Sequence, residues 1–325
     1  MAHLVTTLGP KTLADLGPIL PHEHVFVDLR TWDQPGYGEA DPADVVRLMA
    51  PELERARAAG VAAIVEPSTV GVGRRADLLL AVSRATGFPL VAPTGAYREP
   101  WLPPWVRDAA EDALRDWMIG ELSGRIVEVD PRTGPLASPA DDGPAAGSND
   151  VRAGWIKVGA SDEGLTPVEA KLLRAAAAAS RATGAAVGSH SLVGAVARAQ
   201  LDLFEAAGAD PARFVWVHAH RESDVAIHHE LGRRGAWIEY DGIGDPGTDD
   251  RFLDLVLRAL DAGLGDRLLL SHDRGWYDPA QPGGGTPRPF TPLFAEFLPR
   301  LAAAGVDPAT RDRLTRRNPF AAFAR

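Results

Sequence analysis

The stretch PILPHEHVFVD, residues 18–28, sets His22 and His24 one residue apart in an apolar run that ends in Asp28. A strand alternates its side chains, so the two imidazoles share one face while Glu23 points away. Two imidazoles on one face can hold one divalent cation. The same residue types recur toward the ends of later apolar runs: Lys157 in GWIKVGA, His190 in AAVGSH, His218 and His220 in FVWVHAH, and His272 with Asp273 in RLLLSHD. Any of these histidines alone reads more readily as a hydrogen-bonded core residue. Gathered at one end of successive strands, they read as a ligand set. The chain has no cysteine, so a metal here depends on His, Asp, Glu or a modified side chain.

Only three of the 34 basic residues are lysines, Lys11, Lys157 and Lys171; the rest are arginines. Lys11 and Lys171 stand in polar or helical contexts that suit a solvated charge. Lys157 lies in an apolar strand-like run, where an unpaired ammonium is costly and burial lowers its pKa. A neutral amine can take up carbon dioxide and become a carboxylate-like carbamate able to bridge two cations. The alternative is a lysine paired with Glu66 or Asp273 across the barrel.

Eight short apolar runs must position these groups: residues 21–28, 61–68, 89–95, 154–160, 185–190, 214–219, 236–241 and 267–273. Helical segments alternate with them. One begins with Asp41 as cap, Pro42 at the first turn and Gly60 as terminator, and another repeats the design with Thr166, Pro167 and Gly184. Six more are expected near 74–86, 105–122, 194–208, 222–235, 249–263 and 290–305. Eight βα units make an α/β fold, a (β/α)8 TIM barrel, with residues 1–325 as a single domain and the strand C-termini as the site. The Pro/Gly/Ala-rich segment near 129–150 reads as a surface insertion, and Gly283 to Gly285 as a mobile loop.

With 45% hydrophobic and 24% charged residues the chain can bury a large core, and no run approaches the roughly 20 apolar residues of a membrane span. A formal charge of -10 without basic runs argues against nucleic acid as a partner. The N-terminal residues carry no signal-peptide pattern, so a cytoplasmic location is expected.

Taken in order, LGPILPHEHVFVD, GWIKVGAS, GSHS, VWVHAH, LLLSHD and the terminal RRNPFAAFAR resemble the phosphotriesterase-like family of the amidohydrolase superfamily, over nearly the whole chain. The resemblance implies a binuclear metal-dependent hydrolase. His22, His24 and Asp273 would hold the more buried metal and His190 and His218 the second. N-carboxylated Lys157 and a hydroxide would bridge them. The hydroxide would be the nucleophile and Asp273 the catalytic proton acceptor. Zinc is the first choice for both ions, with manganese, cobalt or iron as alternatives.

Phosphotriesterases usually carry an Asp and a His where this chain has Arg221 and Gly242, so only weak, promiscuous phosphotriesterase activity is expected. Tyr97 matches a tyrosine that lactonase-like members place beside the metals. Arg98, Arg221, Arg274, Trp276 and Tyr277 fall on loops at the mouth. Several arginines there suggest an anionic group on a small-molecule substrate, or simply solvated loop charges. His3, His228 and His229 read as surface residues. The leading expectation is a lactonase or carboxylic ester hydrolase. The alternatives are an amide hydrolase acting on N-acyl amino compounds, suggested by HAHRES and WIEYDGIG, and a ligand-binding barrel without turnover. A homodimer is expected, as is common in the family.

Overall fold

In a computed structural model, which describes residues 2–127, 134 and 150–325, six strands form one parallel ladder. They are Pro93–Thr94, Trp155–Gly159, Val187–His190, Phe214–Val217, Trp237–Tyr240 and Leu268–Leu270, paired in that order. A second parallel ladder joins Ile19–Leu20, Ala63–Val65 and Leu90–Val91. The third barrel strand belongs to both, because Glu66 N bonds to Val91 O on one side and Gly154 N to Ala92 O on the other. The circle closes between the eighth and first strands through Asp273 N to His22 O at 3.2 Å and His22 N to Ser271 Oγ at 3.0 Å. The result is the expected (β/α)8 barrel.

The run at 21–28 is not one straight strand. After Ile19–Leu20 the chain turns, and His24–Phe26 pairs with an additional strand, Gly275–Tyr277. Glu23 N still reaches Val65 O of the second strand, whereas His24 N turns to Arg274 O. The site half of the first strand therefore leans on the loop after the eighth.

Val65, Val91, Trp155, Val215, Val217, Trp237 and Leu269 fill the inside of the barrel. Phe320 and Phe323 join them from the C-terminal helix Asn318–Phe323 and seal the end where Trp155 begins its strand. A fully buried aromatic of this kind stabilises by roughly 1.5–3 kcal/mol. The polar residues are thereby left to the opposite, C-terminal end.

The helix stops and starts follow the sequence. Asp41 accepts from Ala43 N ahead of Pro42–Ala58, and Thr166 caps Pro167–Thr183 in a reciprocal box with Glu169. The helix expected at 105–122 is two pieces, Pro104–Asp108 and Glu111–Ser123. Lys171 does not merely sit in solvent: its Nζ donates to Arg107 O and Ala109 O, carbonyls freed at that break. Of the segment near 129–150, all but residues 134 and 150 lie outside the described residues. The glycine run is a tight turn rather than an open loop, with Gly284 packed so close to the Tyr277 ring that no room is left for a Cβ. Among the described residues no helix is long and apolar enough to cross a membrane.

Candidate metal centre

His22, His218 and Asp273 each present a ligand atom within 4.8 Å of the others at the C-terminal mouth of the barrel. Asp273 Oδ1 stands 3.2 Å from His24 Nε2 and 3.7 Å from His22 Nε2, so the first-strand pair does face one carboxylate. His190 packs edge-on against His218 with ring centroids 4.6 Å apart, and His218 lies 5.2 Å from His22. Strands one, five, six and eight thus deliver their polar ends to one place. Among the described residues, the three non-glycine positions with left-handed backbone are His218, Asp273 and Trp276, all at this mouth. Such backbone is costly and marks sites where the surroundings impose it.

The orientation of the rings is the sharper evidence. His22 Nδ1 lies 3.0 Å from Glu239 Oε2, His24 Nδ1 2.7 Å from Ser68 Oγ, and His218 Nδ1 2.9 Å from Asp241 Oδ1. With Nδ1 engaged in this way, Nε2 is the nitrogen left to meet a ligand, and in His22 and His24 it faces Asp273. This is how metal-ligating histidines are usually oriented. Asp273 Oδ1, though buried, has no hydrogen-bond partner. A buried carboxylate oxygen left open beside two inward-facing imidazole nitrogens is what a cation would complete, so the donor set fits a metal.

Burial pushes His22 and His190 well below the usual imidazole range, with neighbouring Lys157 and His218 adding to the effect. They are neutral, as ligands must be. Burial likewise lowers the Lys157 amine to about 8, against the pull of Glu239, Asp241, Asp273 and Glu66. Among the described residues, neither Glu66 nor Asp273 makes an ion pair with that amine, so the paired-lysine alternative is not what the structure shows. Burial would raise Asp273 as well, yet His24, with Nε2 3.2 Å from its Oδ1, outweighs that and holds the carboxyl below its ordinary value. Glu239 moves the other way, pushed well above its ordinary value by burial and by Asp241.

Aromatic residues form the rim. Tyr97 Oη lies 3.2 Å from His190 Nδ1, with Trp101 packed against its ring at 5.5 Å between centroids. Trp276 stands edge-on to His24 at 5.7 Å. Two of the three arginines named for the mouth have protein partners. Arg98 pairs with Asp162 at 3.2 Å and lies over Tyr97 and Trp101. Arg274 is buried with its guanidinium on Gly244 O and Asp245, and Arg221 is exposed at the end of the turn Ala219–Arg221. Tyr277 stacks on Phe26, below the mouth.

Other expectations need correction. His272 is turned from the mouth, with Nδ1 2.6 Å from Glu23 Oε1 and Nε2 accepting from Leu293 N. His228 is not a surface residue: it lies on the inner face of Val225–Arg233, with Nδ1 3.0 Å from Tyr240 Oη and its ring edge-on to Trp216. Asp28 binds Arg30 and Gly38 N, which removes it from the metal chemistry. Sequence reading also missed Glu239, Asp241 and Ser68. Two carboxylates two residues apart in the apolar run AWIEYD carried a usable signal, since they share a strand face.

A barrel that converges neutral imidazoles, a carboxylate and a buried lysine at its C-terminal end defines the metal-dependent hydrolases built on this fold. Residues 2–323 match the phosphotriesterase family. A phosphotriesterase homology protein from Mycobacterium tuberculosis is 30% identical over 298 residues, covering 87% of this chain and 84% of the relative. An aryldialkylphosphatase from Saccharolobus solfataricus is 26% identical over 323 residues, 95% of this chain and 96% of the relative. The crystal structure of a mutant PTE-like lactonase from Deinococcus radiodurans aligns with a TM-score of 0.83 at 29% identity, covering 98% and 99% of the two chains. The chain belongs to the phosphotriesterase family, and it is a metal-dependent hydrolase.

Proposed function

We propose that the chain is a binuclear hydrolase of lactones or related carboxylic esters, with weak phosphotriesterase activity. His22, His24 and Asp273 would hold one divalent ion, His190 and His218 the other, and N-carboxylated Lys157 both. The observation that carries this reading is the set of three imidazoles engaged at Nδ1, with Nε2 of His22 and His24 facing Asp273 and a ligand atom of His218 within 4.8 Å of His22 and Asp273. When bound, the ions supply an acidified water as nucleophile near neutral pH and a Lewis acid for the carbonyl under attack.

The side chains do the rest. The Asp273 carboxylate, held ionised, would accept the proton that the attacking water gives up. The Tyr97 phenol, pushed up to about 12 by burial, remains a hydrogen-bond donor across neutral pH and orients the substrate oxygen beside His190. Trp101 and Trp276 wall the small-molecule substrate on two sides and exclude water from the reacting bond. The solved lactonase neighbour supports an ester of the cyclic kind.

The test is one metal-replete preparation assayed against lactones, simple esters, phosphotriesters and small N-acyl amino compounds. Lactones or esters are expected to give the highest kcat/KM. Turnover confined to N-acyl amino compounds would transfer the reading to an amide hydrolase, and inactivity on all four would remove it.

A further inference from the structure

Glu23 lies between two proposed metal ligands in sequence and behind a third in space, fully buried. Its Oε1 accepts from Ser271 Oγ at 2.7 Å, His272 N at 2.9 Å and His272 Nδ1 at 2.6 Å, and its Oε2 accepts from Arg274 N at 2.9 Å. The carboxylate thus grips the amides on both sides of Asp273. Between them Asp273 holds a left-handed φ of 56°, an unfavourable backbone for a residue with a side chain. His272 cannot turn away to release the carboxylate, because its Nε2 already accepts from Leu293 N at 2.8 Å. Ser271 Oγ in turn receives His22 N at 3.0 Å, and Asp273 N bonds to His22 O at 3.2 Å.

We infer that Glu23 is a positioning residue for one metal subsite, fixing His22, His24 and Asp273 relative to one another while leaving the His190–His218 subsite untouched. The inference rests on the ligand assignment proposed above. Its backbone sets the spacing of the two histidines, and its side chain sets the strained turn that aims Asp273 at them. His190 and His218 stand on the fifth and sixth strands and share none of these bonds. A carboxamide at position 23 has one oxygen for donors that now meet two, and it sets an NH2 against an amide N–H. The turn at Asp273 would relax and carry Oδ1 away from the imidazoles.

The experiment compares wild type, Glu23→Gln, Ser271→Ala and Glu169→Gln. Glu169 is an equally buried carboxylate that binds Glu99 N, Ser161 and Thr166 but holds no proposed ligand. Cadmium is bound to each protein, its stoichiometry is measured by elemental analysis, and its sites are observed by cadmium-113 NMR. Wild type is expected to show two equivalents and two resonances. Glu23→Gln should weaken one site by about 10- to 100-fold and shift or erase one resonance while the other stays in place. Ser271→Ala should move the same resonance less, and Glu169→Gln neither. Two unmoved resonances with wild-type affinity in Glu23→Gln would overturn the inference. If that variant does not fold, unmoved resonances in Ser271→Ala overturn it instead. A wild type that binds one equivalent would refute the binuclear reading, and the role of Glu23 would then be judged on that one resonance.

Discussion

The floor of the site and its rim are built by different physics. On the floor, His22, His24, His218 and Asp273 are each held by a buried acceptor or donor on another strand: Glu239, Ser68, Asp241 and the amides gripped by Glu23. Buried hydrogen bonds of this kind are directional and costly to leave unmade, so they specify one arrangement. On the rim, Tyr97, Trp101 and Trp276 are placed mainly by ring contacts, with Arg98 and Arg288 lying over them and single hydrogen bonds from Tyr97 Oη to His190 and from Trp101 Nε1 to Leu29 O. Ring contacts are worth about 0.5–1.5 kcal/mol beyond their area and tolerate several geometries. The difference teaches that the chemistry sits where the structure allows least variation, and substrate choice where it allows most.

Substitutions should expose that contrast, and the floor should suffer most. Lys157→Ala removes the one side chain proposed to touch both ions. It is expected to lower bound metal below two equivalents and kcat/KM by roughly 10³-fold or more on every substrate, the scale of losing metal-based charge stabilisation. Retention of both metals and of activity would break the assignment of the floor. Tyr97→Phe, on the rim, keeps the ring and deletes one donor. Metal content should stay at the wild-type level and kcat on lactones should fall about 10- to 100-fold, with a different ratio for phosphotriesters. An equal loss on all substrates would place Tyr97 with the floor.

The same contrast governs what the sequence could disclose. Asp41, Pro42 and Thr166 act through neighbours within one turn, so their helices begin where the residues say. The ligands were legible because strand period and strand ends are local properties. What holds them was not: Glu23 meets its partners about 250 residues away, and nothing near position 23 announces Ser271 or His272. The partners of Arg98 and Arg274 were hidden for a related reason. Their positions were right, but Asp162, Asp245 and the carbonyls that occupy them are set by loop folding. The kink in the first strand follows from pairing with Gly275–Tyr277, a strand that its own sequence of three residues could not specify.

His228 supplies the smallest and most selective expectation. It shares a wall with the floor, since Trp216 and Tyr240 precede His218 and Asp241 by two residues and one, but it faces the helices and no metal ligand. Burial lowers its pKa to about 4, opposed weakly by Glu222. An unfolded chain takes up this proton near 6.5 and the folded chain only near 4, so between those values the unfolded state holds more protons. The stabilising contribution is therefore complete above pH 6.5 and lost as pH falls toward 4. His228→Asn retains a donor for Tyr240 Oη and removes the titration. Urea midpoints at pH 7.5 and 5 should converge in the variant relative to wild type, by on the order of 2 kcal/mol across the window. Metal content and kcat at pH 7.5 should not change. A shift in either would mean that the outer layer of this wall is coupled to the floor, and the two regions would then have to be treated as one.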